Sequence, residues 1–138
     1  MQPRLRLRLN AVMTAVVLGA AWGVWHVPLF FLNGSGQHAM GLLSLRGLLF
    51  FLSLIPLSFT YLWVFERLGG AVWSAILLHF AGNSASALLP QTSDAGALLQ
   101  FGVTLLIALV LLAASRFARE RSAGSARVVG DPVIAGDR

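Results

Sequence analysis

"AVWSAILLHFAGNSAS", residues 71–86, is the stretch on which the fold turns. It is apolar enough to read as a membrane helix, yet it carries His79 and Asn83, four residues apart. Hydrocarbon disfavours both side chains. That spacing is about one helical turn, so the imidazole and the carboxamide share one face. Ionisable residues within membrane spans usually face a bundle interior or a wet cavity. The stretch therefore predicts a helix in a membrane bundle with a polar interior, and the rest of the chain can be read against that.

Composition agrees. Of 138 residues, 57% are hydrophobic and 11% charged, and the mean hydropathy is +0.79. A soluble domain of this length needs more polar surface, so the chain is expected to be an integral membrane protein surrounded by a lipid bilayer. The absence of Cys excludes disulfides, thiolate zinc sites and cysteine catalysis. All 10 basic residues are Arg, gathered mainly near the chain ends. The net charge of +5 is thus read as matching an anionic membrane surface, and no nucleic-acid partner is expected.

A spanning helix needs ~20 mostly apolar residues. Four stretches qualify, at about 11–32, 45–65, 70–89 and 97–117. The breaks "NGSGQHAMG", "ERLGG" and "PQTSDAG" separate them. The expected fold is all-α, a polytopic four-transmembrane-helix bundle over residues 1–118. The segment 119–138 lacks an apolar period and is expected to be a disordered cytoplasmic tail. Arg4, Arg6 and Arg8 precede the first span, Arg67 lies in the second break, and Arg116, Arg119, Arg121 and Arg127 follow the fourth span. With four spans these positions share one side, which the positive-inside rule makes cytoplasmic. Tyr61, Trp63 and Trp73 flank the second break as an aromatic belt would. The expected location is the cell membrane, multi-pass, with both termini in the cytoplasm. The basic start and first apolar run resemble a signal peptide. The run is long, however, and carries Trp22, Trp25 and His26 where a cleavage site should lie, so it reads as a retained helix.

Gly19-x-x-x-Gly23 and Gly70-x-x-x-Ser74 are small-residue pairs that permit close helix approach. Pro28 and Pro56 should kink their spans. Pro28 also removes a backbone donor near His26 and is expected to leave a carbonyl free beside that imidazole.

Two ionisable residues lie within spans, His26 and His79; His38 falls in a break and reads as a loop residue. The first and third spans run in the same direction. At ~1.5 Å per residue, His26 lies ~22 Å into its span, and His79 and Asn83 ~14 and ~20 Å into theirs. The three side chains can meet at one level, past the midplane. A lone intramembrane His can simply bond a carbonyl and pack. Two at matched depth, with Asn83 a turn above the second, favour a site. Trp22, Trp25 and Trp73 read instead as packing residues and interface anchors.

"WGVWHVPLFF", Trp22 to Phe31, resembles the second motif of the CPBP intramembrane proteases, also called the Abi or CAAX-protease family: an aromatic, three residues, then His. The family usually has Phe where this chain has Trp22. "HFAGN", His79 to Asn83, is similar to the third motif, His-x-x-x-Asn, and "TYLWVFERLGGAVWSAILLHF" resembles the approach to it. The similarity runs roughly over residues 2–89. It implies type II CAAX prenyl endopeptidase-like hydrolysis of membrane-associated peptides, with His26 assisting water activation and His79 and Asn83 binding the oxyanion. It also raises a divalent metal such as zinc, held by His26 and His79. Catalytic zinc normally has three protein ligands, and Asn83 is a poor third.

The family's first motif, Glu-Glu-x-x-x-Arg, has no counterpart in this sequence. Glu66 lies out of order, in the second break beside Arg67. The resemblance therefore implies the C-terminal part of a family member, inactive alone for want of its catalytic Glu, although a neutral imidazole can serve as a general base. Two alternatives stand beside this reading. One is a non-catalytic membrane interaction or immunity-type protein that keeps the polar cluster for packing. The other is a membrane protein binding haem between two imidazoles, in which Asn83 would have no role.

Overall fold

The computed structural model describes the backbone of residues 10–88 and 93–129, and the side chains of 10–84 and 93–118. Among these residues all regular structure is helical. The first helix, α1 (Ala11–His26), starts where Asn10 Oδ1 accepts a hydrogen bond from the Met13 N–H at 2.9 Å, satisfying one of the donors a helix start leaves open. It tightens into a 3₁₀ segment, Val27–Phe31. A short helix, α2 (Gly36–Met40), folds back on that segment, with Ser35 as its N-cap. Then come α3 (Leu45–Arg67), α4 (Val72–Leu88) and α5 (Asp94–Val129).

The α3 helix is the spine, with α1, α4 and α5 all packed on it. Its buried residues include Leu49, Leu54, Pro56, Phe59 and Leu62. Ala15 of α1, Phe59 of α3 and Ala108 of α5 form a small core. The approach of α1 to α3 is set by glycine. A Cβ on Gly19 would lie 2.9 Å from both Ile55 Cα and Leu54 O, whereas one on Gly23 would lie 3.2 Å from the Phe51 ring. Backbone meets backbone at Gly19, so no side chain fits there. Between α3 and α4 the chain reverses through Gly69 and Gly70, at φ of 68° and 80°, values that disfavour residues with a Cβ.

Three helical segments are long and apolar enough to cross a membrane: 11–31, 45–67 and 94–118. Large apolar side chains such as Trp25, Phe31, Leu99 and Phe117 lie exposed on the outer surfaces, as a lipid-facing exterior requires. The chain is a multi-pass helical membrane protein. The α4 helix, at the place of an expected span, has 17 described residues, and residues 89–92 lie outside the described residues. At ~1.5 Å per residue that is ~25 Å, short of a ~30 Å hydrocarbon core.

Three expectations are corrected. The segment expected to be disordered from Arg119 onward continues α5 to Val129. Ala, Arg and Glu are strong helix formers and can continue a helix without an apolar period; residues 130–138 lie outside the described residues. Pro28 does not free a carbonyl for His26. The Val27 N–H bonds the Val24 carbonyl instead, in the tighter 3₁₀ manner. His38, read as a loop residue, ties α2 down: its Nδ1 donates to the Phe30 carbonyl at 2.9 Å.

Candidate active site

The site forms where α1, α3 and α4 meet. Trp22 and His26 lie one turn apart on α1, with ring centroids 6.0 Å apart. The Trp22 indole also meets His79 of α4, at 5.6 Å, and Tyr61 of α3, edge-on at 5.6 Å. One indole therefore touches both imidazoles and the chain's single tyrosine. His26 also meets the edge of Phe50 at 5.2 Å. The two imidazoles meet the indole rather than each other.

The half-buried His26 has its ring Nδ1 2.8 Å from the Trp22 carbonyl. A carbonyl only accepts, so Nδ1 carries the hydrogen, and in the neutral ring Nε2 is left with a free lone pair. That is the state a general base requires. His79 and Asn83 are exposed, and among the described residues neither side chain makes a hydrogen bond. They lie one turn apart on α4, with Gly82 between them in sequence.

Depth also becomes clearer. Tyr61 is six residues before the end of α3 and His79 seven after the start of α4, so their backbones lie ~9 and ~10 Å from the α3–α4 turn. By the same measure Asn83 lies ~16 Å from that turn and His26 ~22 Å from the start of α1.

A metal does not fit what is described. No group of three His, Cys, Asp or Glu side chains comes together among the described residues. His26 and His79 both lie against the indole, and two imidazoles alone fall short of the three protein ligands of a catalytic zinc. No step below passes through a metal.

Sequence reasoning singled out His26, His79 and Asn83 but gave Trp22 and Tyr61 peripheral roles. The i,i+4 spacing of Trp22 and His26 was the available signal for the first. Nothing local in sequence marked Tyr61. By contrast Trp25 and Trp73 are 78% and 73% exposed, as anchors would be. Trp63 lies under the Arg67 guanidinium, 4.9 Å from its ring centroid.

A helical membrane protein with a histidine on each of two helices and an asparagine one turn beyond the second defines a narrow class, and family comparison agrees with it. The family model "Type II CAAX prenyl endopeptidase Rce1-like" matches residues 1–85, and the chain belongs to that family. The chain is also similar to CAAX prenyl protease 2 of Methanococcus maripaludis, with 31% identity over 109 residues, covering 78% of this chain and 40% of that protein. It thus spans well under half the length of this curated relative. No solved structure matches the chain.

Proposed function

We propose that these residues form part of an intramembrane endopeptidase that hydrolyses membrane-associated, CAAX-like peptides. The supporting observation is the convergence of His26 and His79 on one indole, with Asn83 a turn beyond His79. In this reading His26 Nε2 takes a proton from the attacking water, acting with a carboxylate. His79 and Asn83 donate to the oxygen on which negative charge develops. Their lack of hydrogen-bond partners among the described residues suits that role, because a donor already engaged cannot follow the developing charge. Left bare in hydrocarbon, such groups are costly, so water, substrate or another protein segment is expected to cover them.

The architecture we propose for this activity has four spans. The α4 helix crosses as the shortest, in a locally thinned bilayer. Both termini and the α3–α4 turn face the cytoplasm, residues 1–118 form the membrane domain, and residues 119–138 lie on the cytoplasmic side. The nearness of His79 to the α3–α4 turn then suits a substrate that arrives from the cytoplasm.

The 138-residue sequence contains no Glu-Glu pair, so we propose that the carboxylate comes from another segment or chain and that this sequence alone is inactive. The test supplies a membrane segment bearing Glu-Glu-x-x-x-Arg and measures cleavage of a membrane-anchored peptide. The expected gain over the chain alone is ~10²–10⁴-fold, the usual worth of a general base. Equal turnover without the segment would refute the division of labour. The non-catalytic reading is favoured by one observation, that no group of three His, Cys, Asp or Glu side chains comes together among the described residues. No turnover even with the segment supplied would establish it.

A further inference from the structure

Resting on the peptidase reading, we propose that the Tyr61 hydroxyl is a third oxyanion-binding group beside His79 and Asn83. The direction of the side chain is the first argument. A tyrosine anchored at the interface keeps its hydroxyl toward the headgroups while its ring lies in the apolar layer. The backbone of Tyr61 lies ~9 Å from the α3–α4 turn, six residues before the end of α3. Its hydroxyl oxygen lies 3.5 Å from the position a Cβ would take on Gly82. Gly82 is ten residues into α4, ~15 Å from the same turn. The phenol thus reaches inward from its own helix end, toward the bundle's middle, which an interface anchor does not do.

The surroundings are the second argument. Gly82 lies three residues after His79 and one before Asn83, so the hydroxyl rests on α4 between the two proposed oxyanion donors. The ring is held edge-on against Trp22, the indole that also touches His79. Among the described residues the hydroxyl makes no hydrogen bond, and the same holds for His79 and Asn83. Three polar groups thus gather about one glycine without satisfying one another. In an apolar surrounding that arrangement is costly unless a ligand oxygen completes it.

The chemistry is balanced. As the water oxygen bonds to the scissile carbonyl carbon, the carbonyl π pair moves to its oxygen and one water proton passes to the base. The new oxyanion has three lone pairs and can accept from a phenol, an imidazole N–H and a carboxamide N–H. When the pair returns, the C–N bond breaks and the proton goes to the leaving amine. A phenol loses its proton only near pH 10 in water, so at neutral pH it remains a donor throughout.

The test is binding, which does not require turnover. The 138-residue chain in lipid nanodiscs is titrated with a membrane-anchored peptide whose scissile amide is replaced by a phosphonamidate, a stable mimic of the tetrahedral oxyanion. The amide parent is titrated in parallel. Wild type should prefer the phosphonamidate, and His79→Ala should lower that preference. Tyr61→Phe keeps the ring on Trp22 and removes only the hydroxyl. It should weaken phosphonamidate binding by ~10-fold, the worth of one hydrogen bond to a charged group, and leave amide binding unchanged. Tyr61→Ala should weaken binding of both ligands, because the ring contact is lost too. If His79→Ala lowers the preference and Tyr61→Phe does not, the Tyr61 proposal fails alone. An equal loss for both ligands in Tyr61→Phe would mean the hydroxyl is structural, which also overturns it. No preference in wild type would overturn the peptidase reading and this proposal together.

Discussion

The close approach of α1 to α3 at Gly19 offers a test that needs no activity. Gly19→Ala places a methyl 2.9 Å from Ile55 Cα and Leu54 O, and 3.1 Å from Ile55 N. Ordinary contact begins near 3.4 Å, so α1 and α3 must part by about 0.5 Å, and no side chain can rotate away to relieve it. Overpacking costs ~1–3 kcal/mol, and neighbours that are backbone rather than side chain place this site in the upper part of that range, at ~2–3 kcal/mol. The gain of Ala over Gly in helix propensity, ~1 kcal/mol, offsets only part of that. Gly23→Ala differs. Its nearest neighbour is the Phe51 ring at 3.2 Å, which can tilt, so the propensity gain should nearly cancel the crowding. The expected result is a net loss of ~1–2 kcal/mol for Gly19→Ala and about zero for Gly23→Ala. Reversible unfolding in mixed micelles or bicelles would measure both. Separation of α1 from α3 should also loosen the Trp22 contacts with Tyr61 and His79. Gly19→Ala as stable as Gly23→Ala would show that the two helices do not pack backbone to backbone at Gly19.

Two further predictions concern topology and surface charge. Reporter fusions at Gly36, Gly69 and Gly124 should report outside, inside and inside; an outside signal at Gly69 would overturn the proposed orientation. Arg46 Nε lies 3.5 Å from Asp94 Oδ1, with the side chains 28% and 64% exposed, so Asp94→Asn should cost less than about 1 kcal/mol in the same unfolding assay. A loss of several kcal/mol would mean that the pair is shielded from water.

Three spans were legible because apolar length is a strong signal, and the helical segments 11–31, 45–67 and 94–118 correspond to runs visible in the sequence. The Gly19 and Gly23 pair was legible as well, as small residues one turn apart that permit close helix approach. The α4 run is diluted by His79, Asn83 and several Ser, and 17 residues of its helix, Val72–Leu88, are described. The extension of α5 past Ala118 escaped because strong helix formers such as Ala, Arg and Glu can continue a helix without an apolar period. His26, His79 and Asn83 stood out because polar groups in hydrocarbon need a reason. Trp22 and Tyr61 did not, because aromatic residues near helix ends usually serve as anchors. Their place at the site depends on how α1, α3 and α4 cross, which no single segment encodes.

The central claim is that His79 and Asn83 stabilise a developing oxyanion. The most direct measurement is steady-state cleavage of a membrane-anchored peptide by the chain supplied with a Glu-Glu-x-x-x-Arg segment, comparing wild type with His79→Ala and Asn83→Ala. Loss of an oxyanion donor typically lowers kcat by ~10²–10³, so each substitution should do so with KM little changed. An active assembly indifferent to both substitutions would contradict the account and return His79 and Asn83 to the role of packing residues.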